Sequence, residues 1–288
     1  MEREFFLLKL ALIQGAGIIS KWHIFEYAQK HQYFNFTANE LRPLLSKRCD
    51  AFVFCNDWNF LTKEVLQQKL SGQKYITLDS PFYPERLRQL PQPPFVLFYE
   101  GNISLLQQEK IIAFVGSRNV SSYGQEIVKK FVPPLTTRNY TIVSGLAKGV
   151  DSCSHLAAMQ SFGNTIGVVG CGLDICYPKE VFSIYWEMLK KQLVISEYPY
   201  GTPVRKYHFP MRNRIIAGLA QAVCVIEARA KSGSLTTAQL ALDTGKEVFA
   251  FPGDILNGRS TGCLQLIQDG AKCVISLKDI LEELPNFE

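Results

Sequence analysis

Short apolar runs rich in β-branched residues recur through the last two thirds of the chain, and stretches with helical spacing separate them. Near-continuous apolar runs are typical of strands buried on both faces, as in a parallel sheet covered by helices. The alternation of strand and helix predicts a doubly wound α/β domain. The runs are Phe95–Tyr99, Ile111–Val115, Thr141–Val143, Thr165–Val169, Leu193–Ile195, Ala222–Ile226, Glu247–Phe251 and Cys273–Leu277.

The first seventy or so residues show helical patterning instead. Phe5–Ile13 is apolar on one face, Gly15-Ala16-Gly17 interrupts it, and Ser20 is placed to cap a helix over Lys21–His31. This pattern resembles a helix-hairpin-helix module, whose turn contacts DNA phosphates through backbone N–H groups, and ordinary packing of two helices is the alternative. We therefore expect a small helical domain over residues 1–72 and the α/β domain over residues 73–288.

Composition supports a folded chain and excludes a largely disordered one. The 288 residues are 47% hydrophobic and 20% charged, and at roughly 100–200 residues per domain they allow one large domain or two smaller ones. The 31 Lys and Arg exceed the 26 Asp and Glu by only five. This mild excess is compatible with a polyanionic partner, but the placement of the cations is more informative.

The cysteines and the termini favour a cytoplasmic protein. None of the eight cysteines forms a CxxC pair and most lie in apolar runs, so reduced, buried thiols are expected rather than disulfides or a metal site. The N-terminus lacks the pattern of a signal peptide, and no apolar run approaches the roughly 18 residues of a membrane span. We expect no membrane association.

Glycines, hydroxyl residues and cations follow six successive strands of the predicted sheet. Because the carboxyl ends of parallel strands meet at one edge, where open α/β sheets bind ligands, these loops should form one rim. Turns alone explain any one loop but not six together. The rim segments are Gly116-Ser117-Arg118, Ser144–Asp151, Gly170–Asp174, Ser196–Pro199, Glu227–Ser234 and Pro252-Gly253 with the loop Gly258–Gly262.

The chemistry of the rim points to phosphate groups. Glycine permits close backbone approach, and the start of a helix attracts anions. Ser232-Gly233-Ser234 precedes a helix predicted over Leu235–Thr244, so it either holds a phosphate or simply supplies Ser234 as the N-cap. Arg118 is positioned to bind a phosphate in bidentate fashion, with a surface ion pair as the alternative. Lys148 and Lys179 either add positive charge to this site or are simply solvated at the surface.

The densest basic stretch is Arg205–Arg214, which mixes four cations with aromatic and imidazole rings. Cations suit phosphates and rings suit stacked bases, so this stretch fits a single nucleic-acid strand. Arg212, Asn213 and Arg214 open a helix, and one arginine is expected to pair internally with Glu197 or Glu227 while the other meets the ligand. The sequence leaves open which arginine does which.

Several enzyme signatures are absent from the sequence. There is no GxxxxGK[ST] loop, no HExxH or HxxxH pair and no GxSxG elbow. Gly170-Cys171-Gly172 starts a GxGxxG pattern, but Ile175 replaces its last glycine. We therefore expect no catalytic residue, no metal and no cofactor.

These loops together resemble the DNA-processing protein A family (DprA, also called Smf) from about Tyr75 to Ser276, with FPMRNRIIAGL at Phe209–Leu219 among the motifs. The resemblance implies an extended Rossmann-like core, a sterile-alpha-motif-like or helix-hairpin-helix N-terminal domain, and binding of single-stranded DNA. It also implies protection of incoming DNA in natural transformation, loading of the RecA recombinase, and a homodimer formed by the late part of the Rossmann domain.

By position, the resemblance implies a DNA site made of residues in the rim loops. One departure from the family pattern is Val181, where an Asn usually follows the Tyr-Pro pair. The implied site comprises Arg118 in its Gly116-Ser117-Arg118 loop, Lys179, Arg212, Asn213 and Arg214, with Ser232, Gly233 and Ser234 along the same rim; Lys148 joins it on its position alone.

Two other functions compete with DNA binding. The core is also similar to nucleoside-monophosphate phosphoribohydrolases with a PGGxGTxxE signature, but the signature's Glu falls on Gln239, which cannot ionise. A pure interaction module would use the segment Gly262–Gly270. There we expect Leu264 and Ile267 to face the core, while Leu266 points elsewhere, to a dimer contact or to another part of the core.

Overall fold

A computed structural model describes residues 2–284, which form one mixed sheet, helices on both of its faces and a helical N-terminal region. The helices are α1 Glu2–Leu12, α2 Ile18–His31, α3 Ala38–Leu41, α4 Ala51–Phe60, α5 Lys63–Lys69, α6 Glu85–Arg88, α7 Ser122–Thr136, α8 Val150–Gln160, α9 Phe182–Lys191, α10 His208–Leu219, α11 Gly233–Leu242, α12 Thr261–Gln268 and α13 Leu277–Leu281. The strands are β1 Lys74–Thr77, β2 Val96–Gly101, β3 Ile111–Gly116, β4 Thr141–Gly145, β5 Thr165–Val169, β6 Leu193–Ser196, β7 Ala222–Ile226, β8 Glu247–Ala250 and β9 Lys272–Cys273.

The strand order is β1-β2-β6-β5-β4-β3-β7-β8-β9. Strands β3 to β9 are parallel to one another, whereas β2 is antiparallel to both β1 and β6. The chain builds the sheet outward from β3 to β6 on one side and then from β7 to β9 on the other. This topology confirms the doubly wound, mostly parallel fold and puts its switch point between β3 and β7.

Side chains alternate across β3 in the way that a doubly covered sheet requires. Ile112 and Phe114 belong to the core beneath α7 and α8, while Ile111, Ala113 and Val115 belong to the core beneath α10 and α11. All five are buried. Both faces of the strand are therefore apolar, which explains why the sequence shows unbroken apolar runs rather than alternation.

The C-terminal end differs from the expectation of a strand over Cys273–Leu277. Only Lys272–Cys273 pairs with β8, and α13 begins at Leu277. The Asp279 carboxylate accepts hydrogen bonds from the backbone N–H groups of Ile275 (2.9 Å) and Ser276 (2.7 Å), in a capping box. This cap starts a helix within the apolar run, so the expected strand is wrong over most of its length.

The start of α2 also differs from the sequence expectation. The helix begins at Ile18 with Gly17 as its N-cap, so Ser20 lies inside the helix, where its Oγ accepts a hydrogen bond from Ser46 N–H (3.0 Å). The turn before α2 needs glycine at position 15, where φ is +78° and a Cβ would lie 2.5 Å from the backbone nitrogen of Phe54.

The N-terminal helices pack directly on the α/β core. Trp22 stacks on Phe95 at 4.8 Å between ring centroids, and the buried side chains of α1, α2 and α4 are continuous with those of the sheet. The division at residue 72 stays a prediction. Within residues 2–284, no helix is both long and apolar enough to cross a membrane.

Candidate nucleic-acid interface

A cavity of about 560 Å³ opens at the carboxyl ends of β3 and β7, where the sheet changes direction. Four of the rim segments predicted from the sequence contribute to its lining, and the start of α10 completes it. The four are Gly116-Ser117-Arg118, Ser144–Asp151, Glu227–Ser234 with the start of α11, and the loop Gly258–Gly262. Eight of the predicted residues line this cavity: Gly116, Ser117, Arg118, Arg212, Asn213, Ser232, Gly233 and Ser234.

The loop after β3 is held rigidly and presents an exposed arginine. Gly116 lies so close to β7 that a Cβ there would be 1.9 Å from the carbonyl oxygen of Ile226. Ser117 donates its N–H to the carbonyl of Glu227 (2.9 Å), and its Oγ accepts from Asn119 N–H (3.1 Å). Arg118 is exposed, and its guanidinium carbon lies 5.2 Å from the ring centroid of Phe209. Cation and ring thus form one surface.

Arg212 lies at the floor of the rim. Its side chain is buried. The Nη1 atom lies 3.8 Å from Asp151 Oδ2 and donates a hydrogen bond to the carbonyl of Val168 (3.3 Å). Burial lowers the pKa of Arg212 from its usual value, and Asp151 opposes that effect. Its Nε has no hydrogen-bond partner within the described chain, so the group is incompletely satisfied there.

Arg214 faces away from the cavity. It forms an ion pair with Glu197 and donates from Nη1 to the carbonyl of Gln92 (2.6 Å), and both charged side chains are largely buried. The structure thus assigns the internal pairing to Arg214 and the cavity position to Arg212. The expectation that Arg214 belongs to the binding site is not supported by its position.

At the start of α11, the N–H groups of Gly233 and Ser234 have no acceptor within residues 2–284, while Leu235 donates its N–H to the carbonyl of Ser232 (3.2 Å). The helix begins at Gly233 rather than Leu235, Ser232 occupies the N-cap position, and neither hydroxyl caps the helix; instead, the Oγ atoms of Ser232 and Ser234 lie 2.6 Å apart. The alternative interpretation of this segment, with Ser234 as the N-cap, is therefore wrong. Asn213 donates from Nδ2 to the carbonyl of Gly233 (3.2 Å), which fixes α10 against this turn. A helix start of this kind attracts an anion.

A neighbouring cavity of about 640 Å³ shares Arg118, Phe209 and Arg212 with the first. Both predicted lysines lie at this second cavity and both are exposed. Lys148 forms an ion pair with Glu180, whereas Lys179 forms no salt bridge within residues 2–284. The predicted cations thus border two adjoining cavities.

Sequence reasoning missed a buried cluster beneath the first cavity. The Glu227 carboxylate is buried and accepts from the N–H and Oγ of Ser121 (2.9 and 2.7 Å) and from Arg259 Nη1 (3.4 Å). The partner of Glu227 is therefore Arg259 rather than an arginine of α10. Glu227 has φ of 50°, an unusual value for a residue other than glycine, directly after β7. The loop Gly258–Gly262 was predicted to lie on the rim, so the arginine within it, Arg259, was the signal that pointed to a partner for Glu227.

Gln239, the counterpart of the phosphoribohydrolase carboxylate, lies on the exposed face of α11. Its Nε2 donates to Asp243 Oδ1 (2.8 Å), and it is not among the residues that line either cavity. In the described residues, no group of three or more His, Cys, Asp or Glu side chains could hold a metal ion.

Fold and site together define a Rossmann-like α/β protein with a cationic, glycine-lined rim at the switch point of its sheet. The sequence model of the family DNA recombination-mediator protein A matches residues 74–285. The chain therefore belongs to the DNA processing protein A family, which confirms the resemblance seen in the rim motifs.

Sequence relatives support this assignment over most of the chain. The chain is 43% identical to DNA processing protein DprA of Bacillus subtilis over 214 residues, covering 74% of this chain and 72% of the relative. It is 48% identical to DprA of Streptococcus pneumoniae over 201 residues, covering 70% and 71%.

Two solved structures of the family resemble the fold. DprA of Streptococcus pneumoniae superposes with a TM-score of 0.87 at 38% identity, covering 99% of this chain and 98% of that one. DNA processing protein A of Helicobacter pylori, studied for its single-stranded DNA binding mode, superposes with a TM-score of 0.66 at 29% identity, covering 73% and 95%.

Proposed function

We propose that the protein binds single-stranded DNA along the rim and acts as a binding protein rather than an enzyme. The observation that carries this proposal is the convergence of Arg118, Arg212 and the free start of α11 around one cavity at the switch point. The single-stranded DNA binding of the Helicobacter pylori relative supports it.

The geometry suggests how a strand is held without reading its sequence. Arg118 and the N–H groups at the start of α11 face phosphates, and Arg212 adds charge from the floor. The Phe209 ring, already next to Arg118, offers a surface for a base. Lys179 continues the positive track along the second cavity. Because these contacts address phosphates and ring faces, affinity should depend little on base sequence.

A salt titration of DNA binding tests the proposal. Arg118→Ala should lower the affinity for single-stranded oligonucleotides of any sequence by about tenfold, and should reduce the slope of log affinity against log salt by about 0.7. Arg138→Ala is the matched control, because Arg138 is exposed and lies at the end of α7, at the edge of the sheet opposite the rim. Equal affinity for duplex and single strand, or equal behaviour of the two variants, would contradict the proposal.

We further propose that the protein acts in the cytoplasm in natural transformation, where it protects incoming strands and loads the RecA recombinase onto them. Membership of the family supports this role. The measurement is RecA filament nucleation on single-stranded DNA, with and without the protein. Wild type should shorten the lag, and Arg118→Ala should shorten it less at the same protein concentration, because it binds the strand more weakly.

A homodimer through the late part of the Rossmann domain is also proposed. Leu242, at the end of α11, is 46% exposed, and β9 forms the edge of the sheet. On α12 the expectation was partly wrong: Leu266 packs against the core as Ile267 does, and Leu264 is partly exposed. Sedimentation at micromolar concentration should show a dimer, and Leu242→Glu should shift it toward monomer; a wild-type monomer would oppose this arrangement.

Nucleotide hydrolysis is the alternative function that the same assays can exclude. Gln239 is exposed and lies away from both cavities, so the position of the signature's Glu supplies no carboxylate to stabilise a ribosyl cation. The two carboxylates that line the first cavity are engaged by other groups, Asp151 by Arg212 and Glu227 by Ser121 and Arg259. Incubation with nucleoside monophosphates should release no free base. Release that Arg212→Ala abolishes would instead support a hydrolase.

A further inference from the structure

A third groove, of about 600 Å³, separates the N-terminal helices from the α/β core, and we call it the hairpin groove. One wall is the turn between α1 and α2, together with Lys21 and Lys69. The other wall is the segment that follows β6 and leads into α10, residues 197–208. Neither the function proposed above nor the residues predicted for the site use this groove.

The helical wall of the hairpin groove offers hydrogen-bond donors that nothing in the described chain uses. Asp57 occupies the N–H of Gln14 (2.8 Å), but the N–H groups of Gly15 and Ala16 have no acceptor among residues 2–284. Positive φ at Gly15 produces this exposed turn. Two adjacent free N–H groups favour an anion.

Lys21 supplies a cation at the base of the same wall. Its Nζ donates to the carbonyl of Ala11 (3.2 Å), and it forms no salt bridge within the described residues. Burial lowers the pKa of Lys21 to about 8, although Glu197 and Asp57 oppose this effect. Lys21 is half-buried, and a partly satisfied ammonium in such a position gains from a phosphate next to it. Lys69, which is exposed, adds a second cation to the groove.

The opposite wall carries aromatic rings. Tyr198 stacks on His208 at 3.9 Å between centroids, and Tyr207 packs edge-on against the same imidazole at 4.5 Å. Tyr207 is 58% exposed, and Arg205 donates from Nη1 to its hydroxyl (3.0 Å). The exposed Tyr207 ring, held by its neighbours, can stack on a base at small entropic cost.

The hairpin groove adjoins the predicted DNA site. Val204 and Phe209 line the second cavity, while Pro203, Arg205 and Tyr207 line the hairpin groove, so alternate residues of one segment border both. His208 connects them, because its Nδ1 lies 2.8 Å from the carbonyl of Gly170 at the second cavity. The segment 203–209 therefore lies between the two, and a strand that leaves the second cavity past Phe209 reaches the hairpin groove by crossing this segment.

We propose that the hairpin groove binds the continuation of the same single DNA strand, with its phosphates at Lys21, Lys69 and the Gly15–Ala16 turn and a base on Tyr207. The proposal rests on the DNA binding proposed above and extends it: the N-terminal helices lengthen the binding site beyond the rim. Single-stranded DNA is the occupant because the groove combines cations, free N–H groups and ring faces, as the rim does, and borders the same segment that lines the second cavity.

The length of the oligonucleotide separates this groove from the rim. The variant Lys69→Gln/Tyr207→Ala changes two exposed side chains and should leave the fold intact. It should bind an oligothymidylate of about 20 nucleotides at least about fivefold more weakly than wild type, and one of about 6 nucleotides within about twofold. Its salt slope on the long oligonucleotide should fall by about 0.7. The matched control Lys190→Gln/Trp186→Ala removes an exposed lysine and an exposed ring from α9 and should change neither affinity.

Two outcomes would overturn the proposal. An equal loss on short and long oligonucleotides would make Lys69 and Tyr207 part of the rim site, and no loss on either would leave the strand outside the groove. If wild type binds neither oligonucleotide, the DNA-binding function itself fails, which Arg118→Ala diagnoses separately. As a second measurement, 5-iodouracil placed near either end of the long oligonucleotide should photocrosslink to Tyr198 or Tyr207 from one of the two ends; crosslinks confined to the rim would contradict the proposal.

Discussion

Arg212 and Arg214 are two positions apart on α10, yet their guanidinium groups contact carboxylates from different parts of the fold. Arg212 lies 3.8 Å from Asp151, which is in the first turn of α8, whereas Arg214 pairs with Glu197, which follows β6. Residues two apart on an α-helix point about 200° from one another. One basic motif therefore supplies a cavity residue and a structural residue.

Arg214→Ala should reduce stability rather than DNA binding. It leaves the Glu197 carboxylate buried without its partner, which costs about 3–5 kcal/mol of the free energy of unfolding. Urea unfolding measures this loss, and fluorescence anisotropy on the folded protein should show an affinity for single-stranded DNA close to that of wild type. The double variant Arg214→Ala/Glu197→Ala should regain part of the lost stability, because no charge is then left unpaired.

Arg212→Ala provides the comparison for that experiment. It should weaken binding of single-stranded DNA by about tenfold or more, because Arg212 lines both cavities. If Arg214→Ala were the variant that lost affinity in a stably folded state, the division of roles between the two arginines would be wrong.

Gly145→Ala should weaken DNA binding by displacing the Arg212 side chain. A Cβ at position 145 would lie 1.4 Å from Arg212 Nη1 and 2.4 Å from Asp151 Oδ2, so the guanidinium must move. We expect a loss of DNA affinity similar to that of Arg212→Ala, measured by anisotropy. Because the two changes act through one side chain, the double variant Gly145→Ala/Arg212→Ala should bind no worse than Arg212→Ala alone. Additive losses would show that Gly145 acts through another group.

The sequence predicted the parallel strands well because each is buried on both faces. Thr165–Val169 and Ala222–Ile226 have the predicted bounds, and the order of the loops along the rim followed from parallel topology alone. β1 was not predicted, because its four residues include exposed Lys74 and pair only at the edge of the sheet. Short edge strands lack the continuous burial on which such predictions depend.

Side-chain partners in the site were less predictable than positions. The sequence placed Arg212 and Arg214 at the rim and indicated Glu197 as a possible partner. The spacing of the two arginines along the helix could not show which of them pairs with Glu197. The pair of Glu227 with Arg259 joins residues that are 32 positions apart, one directly after β7 and the other in the loop between β8 and α12. Such pairs depend on the packing of α12 against β8, which local patterns do not record.

Gly233→Ala tests how closely the DNA backbone approaches α11. Apart from its chain neighbours and the backbone of α11 itself, no atom of the described protein lies within 4 Å of a Cβ built at Gly233, and its φ is not positive. The substitution should therefore leave the melting temperature unchanged or slightly higher. A methyl group there would still obstruct a phosphate bound at the helix start. We expect affinity for single-stranded DNA to fall several-fold in a titration, with stability retained. Unchanged affinity would mean that the strand stays away from this helix start.

His155 should make stability depend on pH. The imidazole is fully buried, with Nδ1 2.6 Å from Thr165 Oγ1 and Nε2 2.6 Å from the carbonyl of Gly145. Burial lowers the pKa of His155 to about 4, outweighing the raising effects of the Gly145 hydrogen bond and of Asp151, and Arg212 lowers it further. Because the Gly145 carbonyl can only accept, the neutral ring donates from Nε2, and its Nδ1 faces a Thr165 hydroxyl that also donates to the carbonyl of Ile142 (2.8 Å).

The sign of this effect follows from the two pKa values. Between about pH 6.5 and pH 4 the unfolded chain takes up a proton at this histidine and the folded chain does not, so stability falls as the pH falls. The contribution is on the order of 3 kcal/mol and levels off below about pH 4. His155→Gln, which can keep both hydrogen bonds, should lose less stability than wild type over this range in urea unfolding. Parallel pH profiles for the two proteins would show that His155 is not the titrating group.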